Sequence, residues 1–113
     1  MVNNHLVSLD RVFGALADPT RRAILERLSL GDTTVTELAI PFPSSLPAIS
    51  KHLSVLEQAG LIERRNDGRK RICKITPVAM RSAAKWIDHY RTFWTDQLDA
   101  LDAFLGSTQE DNE

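Results

Sequence analysis

Residues 45–76 read SLPAISKHLSVLEQAGLIERRNDGRKRICKIT. An amphipathic helix here runs straight into a strongly basic two-stranded hairpin, and that order decides the fold. Within the helix, Leu46, Ile49, Leu53 and Leu56 fall on one stripe at helical spacing. Pro47, Ala48, Lys51 and Ser54 then face away, with Ser50 and His52 on the flanks. A face this small and polar can sit deep in a major groove. There Ser donates or accepts toward any base, and Lys reaches guanine O6/N7 or a phosphate. The stripe alone shows only that one face is buried, and a solvated outer face accounts for it equally well.

The hairpin shifts the balance. Residues 64–74 hold Arg64, Arg65, Arg69, Lys70, Arg71 and Lys74 against a single acid, Asp67, while the whole chain carries a net charge of −1. Asp67-Gly68 signals a two-residue turn with positive φ at both central positions, so the cations ride on a tight ribbon. Long flexible cations on such a ribbon suit phosphate contacts, each of which releases condensed counterions. A bland edge strand, charged to discourage sheet aggregation, is the rival account. It explains a few charges, not this density directly after a groove-sized helix.

Upstream, Asp18 offers an N-cap with Pro19 at the first helical position, followed by Ile24, Leu25 and Leu28 with Gly31 as the stop. Thr34-Val35-Thr36-Glu37 has capping-box spacing and opens a short helix. Pro41, Pro43, Ser44 and Ser45 force a turn, with Ser45 the N-cap of the next helix. The order is helix, short helix, turn, helix, hairpin. The fold class is therefore mainly α with a small β-hairpin, a winged helix-turn-helix that reads DNA with its last head helix and grips the backbone with its wing.

The segments ALADPTRRAIL (residues 15–25), LPAISKHL (46–53), LEQAGLI (56–62) and Asp67-Gly68-Arg69 together resemble the ArsR/SmtB family of bacterial winged-helix regulators. The resemblance covers roughly residues 7 to 105. It implies a cytoplasmic homodimer, usually a repressor, that leaves a palindromic double-stranded DNA operator when an effector arrives. On this resemblance the DNA-binding set is Ser45, Pro47, Ala48, Ser50, Lys51 and His52 of the helix with Arg64, Arg65, Arg69, Lys70 and Arg71 of the wing.

The chain departs from the metal-sensing members. Their best-known site pairs Cys residues on the short helix before the turn, where this sequence reads Thr36-Glu37-Leu38-Ala39-Ile40. One Cys per chain cannot build a thiolate-rich site for a soft metal. The family's other site uses Asp, His and Glu on the last helix, which Asp88-His89 and Asp99-x-x-Asp102 superficially suggest. Adjacent helical residues point about 100° apart, so Asp88 and His89 cannot both face one ion comfortably. The expected type is non-metal-sensing, with no metal and no cofactor, and with a small-molecule effector whose chemistry the sequence does not specify.

At 113 residues with 42% hydrophobic content, the chain supports one small domain with a limited core. Residues 1–106 form the expected DNA-binding and dimerisation domain, and 107–113 a polar acidic tail that frays. No apolar run is long enough to span a membrane, and MVNNHLVSLDRVF lacks the apolar core of a signal peptide, so the expected location is cytoplasmic. A pI near 6.3 is unusual for a nucleic-acid binder. Segregation of charge resolves it: residues 96–113 carry Asp96, Asp99, Asp102, Glu110, Asp111 and Glu113 with no base, which keeps that end off DNA while the hairpin steers toward it.

After Thr76-Pro77, read as N-cap and first helical residue, the pattern stays helical to about Leu105. Ala84, Ile87, Trp94, Leu98, Leu101 and Leu105 recur in steps of three and four, with Trp86, Tyr90, Phe93 and Phe104 beside them. The N-terminal helix has its own stripe at Leu6, Leu9, Phe13 and Leu16. Packing the first and last helices of two subunits together absorbs this apolar surface. The expected dimer interface is Leu6, Leu9, Phe13, Ile87, Tyr90, Trp94, Leu98, Leu101 and Leu105. The alternative folds both helices back on their own head.

Cys73 shares a strand face with Ile75 and reads as a buried hydrophobe, with a redox switch as the sharper alternative. No nucleophile elbow, phosphate-cradling glycine loop or H-E-x-x-H motif is present, so no enzyme is expected. The competing function classes are a winged-helix protein-interaction module without DNA binding and a redox-responsive regulator acting through Cys73.

Overall fold

A computed structural model of the chain describes residues 8–111, with side chains described through Ser107. The elements run α1 (Leu9–Leu16), α2 (Pro19–Leu28), β1 (Thr33–Thr34), α3 (Val35–Ala39), α4 (Leu46–Gln58), β2 (Ile62–Asp67), β3 (Lys70–Ile75) and α5 (Pro77–Asp111). The chain divides after Ala83 into a head unit and a helical unit. Leu6 lies outside the described residues.

Local chemistry sets the helix starts in the head. Ser8, Asp18, Thr34 and Ser45 are extended N-caps whose side-chain oxygens accept from the backbone N–H three residues on, and Pro19 and Pro47 occupy first-turn positions where no N–H is missed. Glu37 does not close the expected capping box. Its carboxylate accepts from the Thr33 hydroxyl at 3.1 Å instead. Helix α4 stops in a Schellman motif: Gly60 takes φ +77°, its N–H bonds the Glu57 carbonyl, and the Leu61 N–H bonds the Leu56 carbonyl. This reverses the chain into β2 and buries both Leu56 and Leu61. Helix α2 ends at Leu28, earlier than the expected stop at Gly31, through a Ser29 cap.

The sheet differs from a bare hairpin. Three antiparallel strands lie in the order β1-β3-β2, with Thr34 opposite Ile72 and Arg64 opposite Cys73. The extra strand is two residues long, too short to show alternation in a sequence. The hairpin turn is also shifted by one residue. Asp67 pairs with Lys70, so the central residues are Gly68 and Arg69, and among the described residues only glycines have positive φ. Positive φ at the first central position alone (Gly68, +64°) is the pattern of a II′ turn. Asp67 thus ends a strand instead of bending, which lengthens the ribbon that carries the cations.

Val12 and Ala15 of α1, Ile24 and Leu28 of α2, Leu38 of α3, Ile49, Leu53 and Leu56 of α4, Cys73 of β3, and Ala79 and Ala83 from the start of α5 form one buried cluster. Each large side chain removed from water there contributes roughly 1.5–3 kcal/mol. Leu46 was expected on this stripe but is 47% exposed. It occupies the first turn of α4, before the helix passes over the core. Leu9 and Leu16 pack against their own head's core, and Phe13 remains exposed. In the helical unit, α5 continues as helix through Asp111, past the expected end near Leu105 and into the segment read as a fraying tail.

Candidate nucleic-acid interface

Helix α4 presents its outward face as the heptad geometry requires. With Ile49, Leu53 and Leu56 fully buried, Pro47 and Lys51 are exposed, and Ala48 and Ser50 are half-buried. Ser45 is exposed but spends its hydroxyl on the Ala48 N–H at 3.3 Å. Ser54, expected to face the groove, instead accepts from Arg64 at 3.1 Å and is half-buried.

That contact separates Arg64 from its neighbours. Its guanidinium donates to Glu57 Oε1 at 2.9 Å with its side chain only 9% exposed, and its backbone N–H bonds the other Glu57 oxygen. Arg64 therefore anchors β2 to α4 and does not project toward solvent. The Arg64 hydrogen bond also holds the Glu57 carboxyl below its ordinary value. Arg65, Arg69, Lys70, Arg71 and Lys74 are exposed, and among the described residues none of them forms an ion pair. The alternation of β2 and β3 explains the division. Arg64 and Cys73, opposite each other in register, share the face packed on α4 and the core, while Arg65 and Lys74 point outward.

A cleft of about 270 Å³ lies where the wing meets the starts of α3 and α4, lined by Thr34, Val35, Thr36, Leu46, Arg69, Lys70 and Arg71. The β1–β3 pairing brings Thr34 beside the wing, where it and Thr36 share the lining with three cations. The lining is cationic and holds no carboxylate, which suits an anionic ligand.

Comparison with known proteins places this geometry. A helix-turn-helix domain family matches residues 16–65. The HTH-type transcriptional regulator Rv2034 of Mycobacterium tuberculosis is 40% identical over 92% of this chain and 94% of its own. A crystal structure of an ArsR family transcriptional regulator superposes with TM-score 0.72 at 44% identity, over 77% of this chain and 96% of that one. The chain belongs to the ArsR family. It is a DNA-binding transcriptional regulator with a winged helix-turn-helix fold. A homodimeric winged helix-turn-helix DNA-binding domain from Mycobacterium bovis is similar too, with TM-score 0.60 at 28% identity over 74% of this chain and 81% of that one.

Within this ArsR-family head, two residues outside the expected site tie its elements together. Glu57 carries no signal in the sequence that singles it out, and it is the wing's anchor. Arg21, in the first turn of α2, joins three elements. Its Nε donates to the Ala15 carbonyl at 2.7 Å, Nη2 to the Gly14 carbonyl at 3.0 Å, and Nη1 contacts His52 Nδ1 at 3.3 Å. Asp18, the cap of α2, lies beside the same imidazole, with Oδ2 3.9 Å from Nδ1. The Arg21 backbone hydrogen bond, chiefly, lowers the Asp18 carboxyl from its ordinary value. Contacts 31 residues apart leave no periodic trace in a sequence.

Cys73 is fully buried, and burial pushes its thiol up despite the nearby Arg64 and Arg71. A redox switch needs an exposed thiolate, so this geometry disfavours that alternative. In the helical unit, Asp88 pairs with Arg91 at 3.3 Å and His89 meets Tyr90 edge-on with ring centroids 4.8 Å apart. Among the described residues, no three His, Cys, Asp or Glu side chains converge on a common point. Ile87, Tyr90, Trp94, Leu98, Leu101 and Leu105 are each 41–59% exposed in the single chain. No described helix is long and apolar enough to cross a membrane.

Proposed function

We propose that this regulator is a cytoplasmic repressor that binds a palindromic operator as a homodimer, with α4 in the major groove and the wing on the sugar-phosphate backbone. The observation that carries the reading is the split among the wing cations. Arg64 is consumed internally, whereas Arg65, Arg69, Lys70 and Arg71 stay exposed without an ion pair among the described residues, and Arg69, Lys70 and Arg71 line a cleft with Leu46 at the start of α4. A surface charged only for solubility has no need to concentrate charge of one sign on a single ribbon. A protein-interaction module would not need a small outward helix face beside it. Recovery of bound genomic fragments tests the reading: a shared inverted repeat with half-sites roughly 34 Å apart, centre to centre, supports it. Fragments without a common element would contradict it.

Within this assignment, Lys51 and Ser50 contact base edges, and Arg65, Arg69 and Arg71 contact phosphates. Lys51→Ala is expected to cost about 1–3 kcal/mol and to relax preference at one operator position. Competition binding with single-base operator variants measures it, and an unchanged preference profile would refute the assignment.

The effector is expected to be something other than a thiophilic metal. The lone Cys73 is buried, Asp88 is engaged by Arg91, and His89 lies against Tyr90. Zinc, nickel, cobalt, cadmium or arsenite at low micromolar concentration should therefore leave the operator complex intact in a mobility-shift titration. Stoichiometric binding that His89→Ala abolishes, together with operator release, would overturn this expectation.

A further inference from the structure

We propose that Arg21 is a positioning residue for DNA binding: it holds His52 as the Nε2–H tautomer, so that α4 offers His52 to DNA as a hydrogen-bond donor only. The proposal rests on α4 being the DNA-reading helix. Guanidinium nitrogens have protons to donate and no lone pair to accept with, so the 3.3 Å contact between Arg21 Nη1 and His52 Nδ1 requires an unprotonated Nδ1. The neutral ring then carries its proton on Nε2. The competing tautomer would aim Nδ1–H at Asp18 Oδ2, which is 3.9 Å away and beyond hydrogen-bond range, while setting it against an Arg21 donor.

Arg21 is held firmly enough to impose this choice. Its other two nitrogens are committed to the Gly14 and Ala15 carbonyls at the end of α1, and its backbone N–H to Asp18 at the start of α2. His52 Nε2 has no hydrogen-bond partner among the described residues and is not fully buried, and the side chain as a whole is 23% exposed. His52 sits about 100° round α4 from Lys51, on the flank and not on the outward face. A flank position meets the backbone at the groove's edge. Phosphate oxygens accept and never donate, so a ring fixed as a donor matches them, whereas the other tautomer would present a lone pair to an anion.

Nitrogen-15 NMR of the imidazole in the free protein, at a pH where the ring is neutral, should show Nε2 protonated and Nδ1 bare. Arg21→Met should shift both resonances toward the averaged values of a tautomer mixture. Gln places a donor where Nε2 lies, and Asn reaches only as far as Nδ1. On a mixed-sequence duplex, His52→Gln should therefore bind within about threefold of wild type, whereas His52→Asn and His52→Ala should both weaken it about tenfold. A protonated Nδ1 in the wild type, unchanged resonances in Arg21→Met, or His52→Gln as weak as His52→Ala would each overturn the proposal. Wild-type protein that bound no DNA at all would overturn the phosphate role together with the reading beneath it, and the NMR result would still decide the tautomer.

Discussion

Leu101→Glu is expected to run as a monomer in sedimentation and to lose operator affinity by a hundredfold or more, while keeping most of its helical signal. Leu101 is 51% exposed in the single chain, and Trp94, seven residues earlier, is 59% exposed on the same face. Leu98 and Leu105, 59% and 48% exposed, extend this apolar stripe, and a contiguous exposed apolar stripe marks an interaction surface. A second copy supplies the matching surface, because a two-fold interface sets the same patch against itself. A carboxylate placed there must be desolvated without a partner, at a cost of several kcal/mol. Monomers then lose the second half-site, and with it the effective concentration that linkage provides, which accounts for factors of about 10²–10⁴. A Leu101→Glu protein that stayed dimeric and bound normally would place the interface elsewhere.

Glu57→Ala is expected to destabilise the head by about 1–3 kcal/mol in chemical denaturation. The substitution leaves the Arg64 guanidinium, 9% exposed, with only the Ser54 hydroxyl and with its Nε already buried and unpaired. Removing one partner of a fully buried pair costs more, but Glu57 is 37% exposed and water screens part of the interaction. The double variant Glu57→Ala with Arg64→Met should recover much of the loss, since it removes the stranded charge along with its partner. Additive destabilisation in the double variant would contradict this origin.

The same pair fixes a pH dependence. Glu57 is depressed in the folded state from an ordinary value of 4.5. Its contribution is therefore present in full above that value and disappears as pH falls through the lower folded value. The wild-type protein should lose this part of its stability in acid, and Glu57→Gln should not.

What was legible in the sequence was mostly what neighbouring residues decide among themselves. Asp18, Thr34 and Ser45 act as caps within three residues of their partners, and Ile49, Leu53 and Leu56 show their burial through period alone. The density of cations marked the wing. In a strand half-buried on one face successive residues cannot all project, and Arg64 is on the inward side. The Gly68-Arg69 turn was missed because an Asp-Gly pair favours one register locally, while the pairing of Asp67 with Lys70 selects another. Strand β1 and the Arg21–His52 contact depend on segments 31 or more residues away, where only the assembled core brings partners together.

The central claim is that the exposed wing cations hold DNA by its phosphates while α4 reads the bases, and salt dependence tests it most directly. Operator affinity should fall linearly on a log–log plot against salt concentration, with a slope of about −0.9 for each phosphate neutralised. The variant carrying Arg65→Ala, Arg69→Ala and Arg71→Ala should bind weakly, with a much shallower slope and an unchanged order of preference among operator variants. An affinity that ignores salt, or a triple variant that keeps the wild-type slope, would contradict the claim.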